Sequence, residues 1–169
     1  EVREVNTTID LAMDAYIPSD YIYDSMQKIE IYKKVAVIRD PEETDDLRDE
    51  LVDRFGDPPE AVENLLAVAR LKAYGRRCGV EQIAQRGDDF VLKFAQHEAE
   101  RFDTKVVDRL CLKFENRFVR PSAQLETQPT ILMRGRGLSN ADKLAMLEQF
   151  LIQYEEALKP KGELQDVAQ

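Results

Sequence analysis

From Asp24 to Gly79 the apolar residues return at steps of three and four in three successive runs, separated only by proline- and glycine-containing breaks. A period near 3.6 held through three runs demands three consecutive helices, each with one face turned to a core. That order excludes the strict alternation of strand and helix found in dinucleotide-binding sheets. The first run carries Met26, Ile29, Tyr32, Val35, Ala36 and Ile38 as its predicted buried face. Asp40-Pro41-Glu42-Glu43 opens the second, because aspartate caps free amides, proline suits the first turn and acids suit the positive helix end. Leu47, Leu51 and Phe55 form its stripe before Gly56 stops it. Asp57-Pro58-Pro59-Glu60 opens the third, with Val62, Leu65, Leu66, Ala69 and Tyr74 inward and Cys78-Gly79 at its end.

On either side the period falls to two. Ile9, Leu11, Met13 and Ala15 alternate with other residues, the pattern of a half-buried strand over Thr8 to Ala15. Glu81 to Gln85 and Phe90 to Ala95 read as a hairpin turning through Arg86-Gly87-Asp88-Asp89. Thr104 to Arg117 returns to helix, with Val106, Val107, Leu110, Cys111 and Phe114 on its face, and Pro121 stops it. Ser122 to Glu126 and Thr130 to Arg134 are two further extended segments. Ser139 or Asn140 caps a last helix carrying Leu144, Leu147, Phe150, Leu151, Tyr154 and Leu158. The predicted fold is α+β, a small, mostly antiparallel sheet packed with about five helices in the order β-α-α-α-β-β-α-β-β-α. Residues 1–7 are expected to be linker from a preceding domain, 8–158 a single domain and 159–169 a flexible tail.

Charge narrows the partners. The 169 residues carry 24 Lys and Arg against 33 Asp and Glu, a net charge of −9. Residues 1–66 hold 18 of those acids with 7 bases. Such a chain favours a basic protein surface over a phosphate backbone. Cys78 and Cys111 lack the close spacing of a zinc or redox pair, so free thiols in a reducing compartment are expected. No apolar run nears the roughly 20 residues of a membrane span, which points to the cytoplasm. The chain begins at Glu1 without an initiator Met, which points to a piece of a longer protein.

Chemistry has little to work with. His97 is the single histidine and has no nucleophile or ligand partner near it in sequence. No phosphate-binding loop, dinucleotide turn, zinc-protease helix or serine elbow occurs. Catalytic, metal and cofactor sites are therefore all expected to be absent, although scattered carboxylates brought together by folding could still form one. Two charged surfaces remain. On the second helix Asp46, Asp49, Glu50 and Asp53 fall within about a 100° arc opposite Leu47, Leu51 and Phe55. This ridge is either a solvated helix face or a docking surface for arginines, since like charges at four-residue spacing repel unless cations arrive. Lys105, Arg109, Lys113 and Arg117 step every four residues along the fourth helix. They are the candidate nucleic-acid contact, with Asp103, Asp108 and Glu115 interrupting and no aromatics interleaved.

Two stretches carry more than generic patterning. Ala15 to Ile22 (AYIPSDYI) leads into Gln27 to Lys34 (QKIEIYKK), and Asp49 to Gly56 (DELVDRFG) is followed by Pro58-Pro59 and Ala61 to Leu66. Over about residues 7 to 80 the chain resembles the last domain of the bacterial transcription-repair coupling factor family. The resemblance implies an autoinhibitory, non-enzymatic module of a DNA-translocating ATPase whose motor motifs are missing here. It implies docking on the UvrB-like N-terminal domain of the same protein, hiding the UvrA-binding surface until stalled RNA polymerase is engaged. UvrA, RNA polymerase and DNA are then partners only through the parent, and the isolated domain is expected to be monomeric. Glu50, Asp53 and Arg54 lie inside the matched segment and, with Asp46 and Asp49, are the expected partner-binding residues. A general protein adaptor and a nucleic-acid module are the alternatives.

Overall fold

The computed structural model describes residues 4–121 and 128–159. Its elements run β1 (Thr8–Asp10), α1 (Ser25–Ala36), α2 (Glu42–Phe55), α3 (Glu60–Cys78), β2 (Val80–Arg86), β3 (Asp89–Phe94), α4 (Thr104–Leu112), β4 (Phe118–Val119), β5 (Thr130–Met133) and α5 (Asn140–Ala157). The expected α+β architecture is present. The strands form one sheet in the order β1-β2-β3-β5-β4. Only the β1–β2 pair is parallel, because helices α1 to α3 intervene between these strands, whereas β2 and β3 meet through a tight hairpin that pairs Arg86 with Asp89. β5 aligns Met133 with Phe90 and Ile131 with Leu92, which puts these four side chains on one buried face.

Helices α4 and α5 and the C-terminal half of α3 cover that face. Phe118 stacks on Phe150 at 4.1 Å between centroids, and Phe94 lies 5.0 Å from Tyr154. Ser139 caps α5 by accepting a hydrogen bond from the Asp142 N–H. A second core forms elsewhere, where Ile17, Ile22, Ile31, Leu47, Leu51 and Val62 join α1, α2 and the first half of α3. α3 ends at Gly79, whose φ of +74° is the left-handed closure that favours glycine. Packing also extends ahead of β1: Val5 and Thr7 are buried, and the Thr7 hydroxyl donates to the Val80 carbonyl at 2.7 Å.

Several sequence expectations need correction. β1 pairs over three residues, not eight, since the chain leaves the sheet after Asp10 and the Ala12 N–H turns to the Gln85 side chain. Asp40 does not cap α2 with its carboxylate. Instead the Glu43 carboxylate accepts from the Asp40 N–H and the Thr44 hydroxyl donates to the Pro41 carbonyl. α4 stops at Leu112, ahead of Glu115 and Asn116, which both have positive φ, and this reversal frees Phe118–Val119 to add the edge strand β4. The extended segment expected over Ser122 to Glu126 lies outside the described residues.

The largest correction concerns α1. Met26, Ile29 and Tyr32 were expected inside, yet they are 75%, 49% and 37% exposed, and Ile31 is the residue that is fully buried. The incoming loop decides this. Ile17 and Ile22 fill the space beneath α1, and the Ile17 N–H donates to the Tyr32 hydroxyl at 2.8 Å, which holds Tyr32 at the margin. The orientation is testable by urea denaturation. Ile31→Ala should cost about 2–4 kcal/mol, whereas Ile29→Ala should stay within about 0.5 kcal/mol. The opposite ranking would mean that α1 is turned the other way.

Candidate interaction surface

α2 is acidic at its N-terminal end, where Glu42, Glu43 and Asp45 face the free amides, and its buried side is set by Leu47 and Leu51. Phe55 adds a half-buried contact 5.9 Å from the Tyr21 ring. The Tyr21 hydroxyl reaches the Gly56 carbonyl at 2.8 Å, tying the loop before α1 to the end of α2. With that side fixed, the acidic ridge has to face solvent. Asp46, Asp49 and Asp53 are exposed and make no ion pair or side-chain hydrogen bond among the described residues.

Glu50 and Arg54, the other two expected partner-binding residues, behave differently. Both lean toward α1 and close a four-charge network with Glu30 and Lys34. Lys34 Nζ donates to both Glu50 oxygens at 2.9 and 2.8 Å, and Arg54 donates to Glu50 at 2.7 Å and to Glu30 at 3.1 Å. The Arg54 guanidinium also rests 4.9 Å from the centre of the Phe55 ring. Hydrogen bonds from Lys34 and then Arg54 hold the Glu50 carboxyl below the usual glutamate range, and Arg54 does the same for Glu30. The ridge thus has one neutralised edge and an unneutralised crest. Glu30 and Lys34 were missed in the sequence, although their spacing of four on one helix was the available signal.

Folding does not keep the basic stripe on one helix. Lys105 and Arg109 are exposed on α4 and Lys113 caps its end, but Arg117 lies beyond the reversal and donates to the carbonyls of Arg134 and Arg136 at 3.0 and 3.1 Å. Arg120 makes two bonds of 3.1 Å to Asp108, which lowers the Asp108 pKa. His97 sits in an exposed turn with its Nε2 3.8 Å from Glu98. Cys78 and Cys111 are buried, and burial pushes both thiols up, away from reactive thiolate. Glu148 is the described carboxyl that burial raises, and it faces Arg70 Nε at 3.6 Å beside a cavity of about 140 Å³. Arg70 also pairs with Asp45, so this group links α5 and α2 through α3. Among the described residues no cluster of His, Cys, Asp or Glu could hold a metal ion, and no helix is long and apolar enough to cross a membrane.

The network has a pH signature. Because the folded-state pKa of Glu50 is depressed, the stability it contributes is full above the unfolded glutamate pKa and is lost as pH falls through the lower folded value. Lys34 and Arg54 remain charged across that range, their pKa values being raised. Glu50→Gln should therefore be less stable than the native chain at about pH 7 and converge with it toward about pH 2. Denaturation at a series of pH values checks this, and a gap that persists undiminished in acid would show that the loss is not ionic.

Comparison with known proteins places these features. A family model described as the TRCF domain matches residues 11–105, more than half of the chain. The transcription-repair-coupling factor of Bacillus subtilis is 40% identical over 103 residues, which is 61% of this chain and 9% of that protein. That of Staphylococcus epidermidis is 43% identical over 79 residues, 47% of this chain and 7% of that protein. The matched part of the chain thus spans less than a tenth of the length of these relatives. A crystal structure described as the C-terminal domain of transcription-repair coupling factor has the same fold, with a TM-score of 0.79 at 24% identity, covering 92% of this chain and 98% of that one. The matched residues take in α1, α2, the acidic ridge, α3 and the β2–β3 hairpin, and the chain belongs to the TRCF domain family.

Proposed function

We propose that this domain is the autoinhibitory interaction module of a transcription-coupled DNA-repair factor. It docks on the UvrB-like N-terminal domain of the same protein and masks the surface that binds UvrA. The mask is lifted when the parent, an ATP-driven DNA translocase of bacterial nucleotide excision repair, engages stalled RNA polymerase. UvrA, polymerase and DNA are reached through the parent, and this domain supplies regulation instead of chemistry.

The observation that carries the reading is the crest of Asp46, Asp49 and Asp53, exposed and making no ion pair beside a network in which Glu50 is already held by two cations. Three carboxylates that make no ion pair, with only Arg48 near enough to feel Asp49, favour a partner that brings arginines. Glu50 then works by exchange, giving up Lys34 or Arg54 as an incoming guanidinium arrives. Exchange of one ion pair for another keeps the net gain small, and a coupling of about 1–3 kcal/mol is enough to switch a closed state. Covalent linkage within the parent raises the effective concentration that such weak contacts need.

Calorimetric titration of this domain with the separate UvrB-like domain, at low and moderate salt, tests the reading. Asp46→Asn, Asp49→Asn and Asp53→Asn together leave the Glu50 network intact and should weaken binding by about tenfold or more while flattening its salt dependence. Glu50→Arg with Asp53→Arg should abolish it with the circular dichroism unchanged. If the native domain does not bind even when tethered to the UvrB-like domain, the reading fails.

A further inference from the structure

We infer that the exposed apolar stripe of α1, made by Tyr23, Met26 and Ile29, is the dry centre of the docking surface and receives an apolar side chain from a cationic protein surface. This inference rests on the docking role proposed above and names what lies at the middle of that contact.

Tyr23, Met26 and Ile29 are 90%, 75% and 49% exposed. Single exposed apolar residues are ordinary, but these are neighbours, because Met26 and Ile29 stand three apart on one helix and Tyr23 directly precedes the Asp24 cap. α1 has already met its own core through Ile31, so the stripe is surplus to folding. It also borders the charged surface. Glu30 follows Ile29 on the flank turned to α2, where it holds Arg54 and through it Glu50, and the unpaired crest lies beyond. An apolar patch bordered on one flank by ion pairs, with carboxylates beyond them, has the makings of a protein contact, in which water is excluded from the middle and charge lies at the rim.

Charge selects the occupant. Residues 16–56 carry 11 acids and 6 bases, which disfavours a second copy of this chain as well as nucleic acid or an anionic lipid surface. A cationic protein surface fits. α1 itself carries Lys28, Lys33 and Lys34 against Glu30, so the partner's cations lie over the acids of α2 while its apolar side chain meets α1, which gives the contact a direction. Met26, unbranched and polarizable, can mould itself to whichever aliphatic or aromatic side chain enters.

The test compares Met26→Ser with Ile29→Ser against the three-residue Asp-to-Asn variant of the crest, both titrated with the UvrB-like domain at two salt concentrations. Loss of the stripe should weaken binding by about tenfold or more at both salts and leave the salt slope unchanged, whereas loss of the crest should reduce the slope. Native-like binding by the Met26→Ser, Ile29→Ser variant beside a weakened crest variant would overturn the stripe while leaving the docking role in place. Absence of binding by the native domain would overturn both. Sedimentation of the domain alone supplies a separate arm: self-association removed by the two serines would assign the stripe to a second copy and overturn the cationic partner.

Discussion

Helix α3 is shared by both hydrophobic cores, and the arrangement of the molecule follows from that sharing. Val62 and Leu66 on its first half close the core beneath α1 and α2, whereas Leu71 and Cys78 on its second half belong to the sheet core. A helix buried on different faces along its length touches many elements, and several of its polar and charged residues hold those neighbours. Arg70 joins Asp45 of α2 to Glu148 of α5, and Arg76 donates to the Ile38 carbonyl at the end of α1. Asn64, nearly buried, donates to the Asp14 carbonyl and secures the loop that enters α1. The α1–α2 pair is therefore carried as a rigid projection from the sheet, not as a loose hairpin.

That rigidity gives the acidic ridge its meaning. Aligned carboxylates on a mobile segment would separate to relieve repulsion, but Leu47 and Leu51 pin α2 through the core and leave Asp46, Asp49 and Asp53 no such freedom. The molecule relieves part of the repulsion internally, through Lys34 and Arg54 on Glu50. Exposed pairs of this kind are individually weak and sensitive to salt. Such weakness would suit the proposed docking, because each internal pair is a competitor that an incoming cation can displace without exposing a buried charge.

Much of this architecture was legible in the sequence. α2 and α5 each carry one apolar stripe between unambiguous breaks, and Leu51 and Leu147 are buried as their spacing requires, as is Val62 on the first half of α3. α1 misled because it carries two apolar sets. Met26, Ile29 and Tyr32 fit the period as well as Ile31 and Val35 do, and periodicity alone cannot say which set meets a core that is completed by Ile17 and Ile22 from the preceding loop. α4 misled for a different reason: the basic residues kept their spacing beyond Leu112, but the left-handed backbone at Glu115 and Asn116 ended the helix that would have aligned them. The crest of the candidate surface was visible in the sequence, and its edge was not, since the Glu50 partner Lys34 lies on another helix.

The mistaken face of α1 and the unneutralised crest of α2 are consequences of one geometry. Two helices that meet through Ile31, Leu47 and Leu51 must turn their remaining residues outward together, so α1 presents its second apolar set on the side where α2 presents its acids. Arg54 and Glu30 bridge the seam between the apolar stripe and the charge. A contact made there would draw specificity from the carboxylates and retention from the excluded water, and neither alone would be strong. In the docking proposed above, attachment to a long parent chain would let a surface of that modest strength close by proximity and open when a competing contact takes hold of either half.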